Sequence, residues 1–215
     1  MLEIEGKSIL FDPFITPNPL AKDVDVSTIL PDFILISHGH GDHIADAVAI
    51  AQQAKSQVIA TYEVCEWLNK KGVENFVPMN TGGKINLGFC TVKLVYAAHS
   101  SSLPDGSYGG NPVGFVIIHK GGSFYYAGDT ALSNEMKLIP EECKLDFAML
   151  PIGDHFTMGI TDAAKAAKFI QCDKIIGMHF DTFPPIQINH DNAKAHFAGL
   201  GLELTLPIIN QTLEF

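Results

Sequence analysis

The chain has 215 residues, with 14 basic side chains against 24 acidic ones and a formal net charge of −10. Every basic residue is a lysine, whereas histidine occurs 9 times, so metal ligands are plentiful and the two-pronged guanidinium grip on phosphate is missing. This balance excludes nucleic-acid binding through a basic surface, and 47% hydrophobic against 18% charged residues excludes disorder as the main state.

Taken in chain order, short β-branched or aromatic runs alternate with helical patterns, the signature of an α/β chain. Strands are expected at residues 3–5 and 8–11, joined as a hairpin through Gly6-Lys7, then at 33–37, 57–60 and 90–97. A second series follows at 113–119, 123–127, 147–150, 174–178 and 202–206, with a Lys120-Gly121-Gly122 turn between its first two members. Helices are expected at 43–54, 62–70, 134–139, 162–171 and 191–198. In the helix at 162–171, Thr161 is placed to cap the exposed amides, Asp162 suits the positive end of the dipole, and Ala163, Ala166, Ala167 and Ile170 share one face. No linker or low-complexity tract interrupts the pattern, so one domain spanning residues 1–215 is expected, built of two β-sheets packed face to face with helices outside.

The apolar runs, such as residues 113–118, are far shorter than the roughly 20 residues a spanning helix needs. The first seven residues alternate charged with apolar side chains and carry no signal-peptide core. Cys65, Cys90, Cys143 and Cys172 lie far apart, without a C-x-x-C pair, and read as buried thiols of a reducing compartment. A cytoplasmic location, with no membrane and no nucleic-acid partner, is therefore expected.

The chemistry concentrates after the strand at 33–37, where the chain reads His38-Gly39-His40-Gly41-Asp42-His43. Four ligand-type side chains within six residues at a strand's C-terminal end have a chance expectation of roughly 10⁻³ for a chain of this composition, and such ends are where α/β sites gather. Ligands at i and i+2 in an extended turn can converge on one ion, while Asp42 and His43 can point at a second. Gly39 and Gly41 leave the backbone free to bend. Imidazole with carboxylate suits zinc, manganese or iron, and the absence of a nearby cysteine argues against a closed structural zinc site. His99, Asp129 and His179 each follow an expected strand in the same way as His38.

With these residues in view, the sequence resembles the metallo-β-lactamase fold superfamily of metal-dependent hydrolases. The resemblance rests on Asp12 in Leu10-Phe11-Asp12-Pro13-Phe14, the His38-x-His40-x-Asp42-His43 loop, His99, Gly128-Asp129-Thr130 and His179, in the family's order. A weaker resemblance, through Asp12-Pro13-Phe14-Ile15 and Leu150-Pro151-Ile152-Gly153, points to the short bacterial hydrolases related to L-ascorbate-6-phosphate lactonase. The resemblance implies a four-layer αβ/βα sandwich and two divalent ions, with zinc expected first and manganese or iron behind it. His38, His40 and His99 would hold one ion, Asp42, His43 and His179 the other, Asp129 would bridge them, and Asp12 would orient a ligand histidine. It also implies a strand ahead of Met1, which would make Met1 an internal methionine of a longer reading frame. The inserted domains of RNA-processing relatives and the cysteine ligand of two-zinc β-lactamases are not matched here.

Other candidates carry less. His155, in Gly153-Asp154-His155-Phe156-Thr157, is expected to donate to substrate or polarise an oxyanion. His119, His190 and His196 read as structural, with His190 as a helix cap. The loop 100–111 follows His99, and Tyr108 is the residue there expected to touch substrate. Ser101 and Ser102 read poorly as nucleophiles, because no pattern places a base beside either. The expected function is a binuclear metal-dependent hydrolase using a hydroxide between the ions on a small-molecule ester, lactone, thioester or phosphodiester. Asp42 or a metal-bound water would help protonate the leaving group. A homo-oligomer is compatible with the sequence. The rival reading is a non-hydrolytic metal protein, either a di-iron redox protein or a metal-binding regulatory module. Histidine at position 40, where di-iron relatives usually carry glutamate, favours hydrolysis.

Overall fold

The structure, a computed structural model, describes residues 1–214. Its contacts group into two compact units, the first formed by Met1–Gly83 with Ser100–Val113, the second by Lys84–His99 with the residues from Gly114 onward.

In the first unit, β1 (Leu2–Ile4), β2 (Lys7–Phe11), β3 (Phe33–Leu35), β4 (Gln57–Thr61) and β5 (Phe76–Met79) lie side by side in that order. The expected hairpin is present: β1 and β2 pair antiparallel, with Glu5 and Gly6 both in the left-handed region at φ 51° and 71°, the two-residue turn whose twist matches that of the flanking strands. The remaining pairs are parallel, which requires crossovers and places every strand end of one kind on one edge. The crossover from β2 to β3 is a loop with one 3₁₀ turn (Val26–Thr28), that from β3 to β4 runs through α1 (Gly41–Ile44) and α2 (Ala47–Ala54), and that from β4 to β5 through α3 (Tyr62–Lys70). In α3, Val64, Cys65 and Leu68 are buried at helical spacing, and they join Ile34, Ile36, Ile50 and Val58 in one core. Each such aliphatic side chain contributes about 1.5–3 kcal/mol by leaving water.

The helix expected at 43–54 is two helices, broken at Asp46 (φ −101°, ψ 1°). The break has a cause. The buried Asp46 carboxylate accepts from Ile15 N and Thr16 N at 2.7 and 2.9 Å, and Asp46 N donates to Pro13 O. Satisfying the 13–16 loop thus takes precedence over continuing the helix. Strand β5 was not foreseen, because Pro78 and the short run hide it; proline is tolerated there since β5 is an edge strand.

The second unit has a seven-stranded sheet in the spatial order β12-β11-β10-β9-β8-β7-β6. Its members are β6 (Lys84–Asn86), β7 (Thr91–Tyr96), β8 (Val113–His119), β9 (Gly122–Tyr126), β10 (Phe147–Pro151), β11 (Lys174–Met178) and β12 (Glu203–Thr205). Strands β9 to β12 are parallel, and β8 turns antiparallel into β9 as expected. Three-residue β6 was too short to be expected. Its helices are α4 (Ile160–Phe169) and α5 (His190–Gly199). Ala163, Ala166 and Ala167 of α4 are fully buried with Leu150 and Phe197 in the core of this unit.

Three local expectations are corrected. The residue before α4 is Gly159, in extended geometry, and no side chain caps that helix, so Thr161 lies inside it rather than capping it. A side chain at 159 would press on Asp154, whose carboxyl carbon would stand 3.1 Å from its Cβ. For α5 the cap is Asn189, accepting from Asn192 N, and His190 is the first helical residue. The segment Asn134–Glu141 forms 3₁₀ turns, capped by Ser133 and containing Pro140, instead of an α-helix; proline lacks the amide that an α-helix would need there.

Candidate metal centre

Strand register positions the donors of the first unit. Phe11 of β2 lies opposite Leu35 of the parallel β3, so Asp12 and Ser37, just beyond, leave the same edge together. Asp12 N donates to Leu35 O at 3.0 Å, and the backbone then turns at Asp12 with φ 42°. That turn aims the carboxylate back at β3's continuation. Oδ1 accepts from Ser37 N at 2.7 Å, while Oδ2 accepts from Ser37 Oγ at 2.5 Å and lies 2.9 Å from His43 Nδ1.

His38 is fully buried. Its Nδ1 lies 2.9 Å from Ser37 Oγ, and its Nε2 faces His40 Nδ1 at 3.0 Å. The His38 and His43 ring centroids are 4.1 Å apart, and donor atoms of Asp12, His38 and His43 all fall within 4.8 Å of one another. One-turn helix α1 carries Asp42 and His43 on successive residues, with Asp42 Oδ2 3.8 Å from His43 Nε2 and its side chain 28% exposed. Gly39 is here for close approach rather than bending: a Cβ on it would stand 2.9 Å from Leu103 Cδ2, whereas Gly41 has nothing within 4 Å.

The donors of the second unit are positioned by the same logic. Asp129 follows β9 and His179 lies just beyond β11, strands that run parallel through β10. His99, beyond β7, is tied to the Asp129 loop by Ala98 N donating to Thr130 Oγ1 at 2.9 Å and by Ala131 N donating to Ala98 O at 3.0 Å. Nε2 of His179 and of His99 consequently lie 3.0 and 3.6 Å from Asp129 Oδ2, a carboxylate only 4% exposed. His179 holds this position at φ 54°, outside the ordinary range of a residue with a side chain.

These donor sets fit a divalent ion. Two imidazole nitrogens bound at roughly 2.0–2.1 Å to one tetrahedral ion lie about 3.3 Å apart, close to the 3.0 Å that separates His38 Nε2 from His40 Nδ1. The set is imidazole and carboxylate without thiolate, the chemistry of zinc, manganese or iron. In addition, histidine ligands carry a hydrogen-bonded partner on the other ring nitrogen, which His38 has in Ser37 and His43 has in Asp12.

The sequence profile of the β-lactamase superfamily domain matches residues 7–180. The chain belongs to the metallo-β-lactamase superfamily. It is similar to a UPF0173 metal-dependent hydrolase of Flavobacterium johnsoniae, 49% identical over 99% of this chain and 94% of the relative. A second UPF0173 metal-dependent hydrolase, from Methylacidiphilum infernorum, is 46% identical with the same coverage. Among solved structures, a metallo hydrolase from the archaeon Ignicoccus hospitalis superposes with a TM-score of 0.88 at 32% identity, covering 99% of this chain and 93% of that one. The two α/β sheets are thus those of the metallo-β-lactamase fold, and the protein is a metal-dependent hydrolase.

Other residues of the superfamily member separate into distinct surroundings. His155 is exposed on a turn where Asp154 and His155 both have positive φ (60° and 53°), with its ring edge-on to Phe156 at 4.5 Å. A cleft of about 510 Å³ beside it is lined by Gly153, Asp154, Gly159 and Asp162, and His155 is not among its lining residues. Tyr108 is 65% exposed and donates to Asn111 Oδ1 at 3.2 Å. Ser101 is buried; its hydroxyl donates to Gly109 O and accepts from Gly39 N, a structural clasp rather than a nucleophile. His119 Nδ1 accepts from Gly121 N in the expected turn, and His190 Nε2 lies 2.6 Å from Asp181 Oδ2. Burial pushes the Cys65 thiol up to about 12 and Cys90 to about 11, which removes both as nucleophiles. Among the described residues, no helix is long and apolar enough to cross a membrane. Two residues that reading the sequence passed over are Ser37 and Asp46: each looked like an ordinary strand or helix position, and only its contacts give it a role.

Proposed function

We propose that this hydrolase is binuclear, with His38, His40 and His99 serving one divalent ion, Asp42, His43 and His179 a second, and Asp129 shared. Zinc is the first candidate, with manganese or iron behind it. The observation that carries the reading is the pair of imidazole nitrogens facing each other at 3.0 Å in the His38–His40 loop. The Asp129 carboxylate flanked by two imidazole nitrogens supports it. When bound, divalent ions supply a water ionised near neutral pH and an electrophilic contact for the developing oxyanion.

The protein's own residues do the rest. Asp12 holds His43 in place through Nδ1, which leaves Nε2 for the ion. Asp42, partly exposed beside His43, carries a proton to the leaving group. His155 stands exposed, able to contact substrate from the solvent side. With no arginine in the chain, an anionic substrate is held by the ions, lysines and backbone amides. The substrate class is a small-molecule ester, lactone, thioester or phosphodiester, handled by a single hydrolase domain.

Metal analysis of the purified protein, combined with a panel of those four substrate types, tests the reading. Two equivalents of metal and turnover of one class are expected, with both lost together in Asp129→Ala and His40→Ala. A protein that hydrolyses at full rate with one equivalent, or none, would overturn it.

A further inference from the structure

The hydrogen bonds around Ser37 have a fixed direction. Ser37 is buried at 1% exposure, and its backbone is fully engaged: N donates to Asp12 Oδ1 and O accepts from Val113 N. Its hydroxyl has one proton and two neighbours, Asp12 Oδ2 at 2.5 Å and His38 Nδ1 at 2.9 Å. An ionised carboxylate only accepts, and 2.5 Å is the length of a charge-assisted O–H···O⁻ bond. The serine proton therefore goes to Asp12, and His38 Nδ1–H must donate to Ser37 Oγ. His38 is thereby left with its lone pair on Nε2.

His38 Nε2, as acceptor, requires His40 Nδ1 to be the donor across their 3.0 Å contact. His40 Nε2 then accepts from the exposed Ser100 hydroxyl at 3.4 Å. Every donor thus points the same way, from Ser100 through His40, His38 and Ser37 to the carboxylate of Asp12. That carboxylate also accepts from His43 Nδ1.

We propose that Ser37 is a positioning residue of the metal centre, relaying the Asp12 carboxylate to His38 so that a single carboxylate sets the tautomers of both His38 and His43 before any ion arrives. The proposal rests on the reading that these histidines hold metal. It distinguishes the two loop histidines. His38 keeps its proton on Nδ1 whether or not an ion is bound. The proton on His40 Nδ1 occupies the position an ion would take, so loading moves it to His40 Nε2, and the Ser100 hydroxyl turns to accept it.

The test is a two-bond proton–nitrogen correlation spectrum of ¹⁵N-histidine-labelled protein, metal-free and zinc-loaded, with zinc titrations of Ser37→Ala and Ser37→Thr. Expected in the metal-free protein are His38 and His40 both protonated at Nδ1, and on loading a switch to Nε2–H at His40 alone. Ser37→Ala should lose the single His38 tautomer and bind one zinc equivalent about tenfold more weakly, at the lower end of the range for removing such partners. Ser37→Thr, which keeps the hydroxyl, should restore both readouts. A metal-free His38 protonated at Nε2, or a folded Ser37→Ala that binds both equivalents as the unsubstituted protein does, would overturn the relay. If the unsubstituted protein binds no divalent ion, the binuclear reading fails by itself, and the metal-free spectrum still decides the direction of the relay.

Discussion

His43 Nδ1 lies 2.9 Å from Asp12 Oδ2, and the two side chains are only 7% and 4% exposed. The contact joins residues 31 apart in sequence, and its aspartate sits at a positive φ of 42°. Asparagine tolerates that backbone better than alanine does, so the charge can be removed without adding strain. Asp12→Asn is expected to keep the fold, read by circular dichroism, and to weaken metal binding by about 10–100-fold, read by chelator competition. Unchanged affinity would show that the carboxylate does not tune its histidine partners.

The two glycines of the metal loop should behave oppositely. Gly39→Ala places a Cβ 2.9 Å from Leu103 Cδ2 and 3.3 Å from Ser102 O, and overpacking of this kind costs about 1–3 kcal/mol. Gly41→Ala meets nothing within 4 Å and should stay within about 0.5 kcal/mol of the parent. Urea unfolding of the two variants and of Gly39→Ala combined with Leu103→Ala checks the cause, since the double variant should regain part of the loss.

Asp46 ties Ile15 N and Thr16 N to the start of α2 from a position 6% exposed. Asp46→Ala leaves those two amides without their acceptor and should cost about 1–3 kcal/mol. Because the tied loop directly follows Asp12, metal affinity should fall as well. Denaturant titration with and without added zinc separates the two effects, and a destabilisation below about 0.5 kcal/mol would contradict the assigned role.

Asp105 anchors the 100–111 loop. Its carboxylate accepts from Ser107 Oγ, Ser107 N and Trp67 Nε1, and these bonds, the serine hydroxyl first, hold it down from the ordinary 3.8 to about 2. A group depressed on folding stabilises the anchored loop above its unfolded pKa and loses that contribution as pH falls through the folded value. Loop protection should therefore be full at neutral pH and fade between about pH 4 and 2, followed by Trp67 fluorescence. Asp105→Asn should loosen the loop at neutral pH and flatten that acid transition.

The composition and the six residues His38 to His43 already pointed to a metal site, because ligand type and spacing within one short loop are local properties that need no partner to be read, while the hydrolase class came with the resemblance to the superfamily. The same holds for the existence of the first hairpin and the alternation of strands with helices, which follow from side-chain period and turn residues, although the turn falls at Glu5-Gly6, one residue before the expected Gly6-Lys7. Tertiary structure decided the rest. Whether the helix after His43 continues depended on Asp46 meeting Ile15 and Thr16, and whether Thr161 capped a helix depended on how Gly159 packs against Asp154. Ser37 reads as one more strand residue until β2 and β3 align in parallel and bring Asp12 beside it. Such roles arise from register and from contacts across 25 or more residues of sequence, where the physics lies in the partner and not in the residue itself.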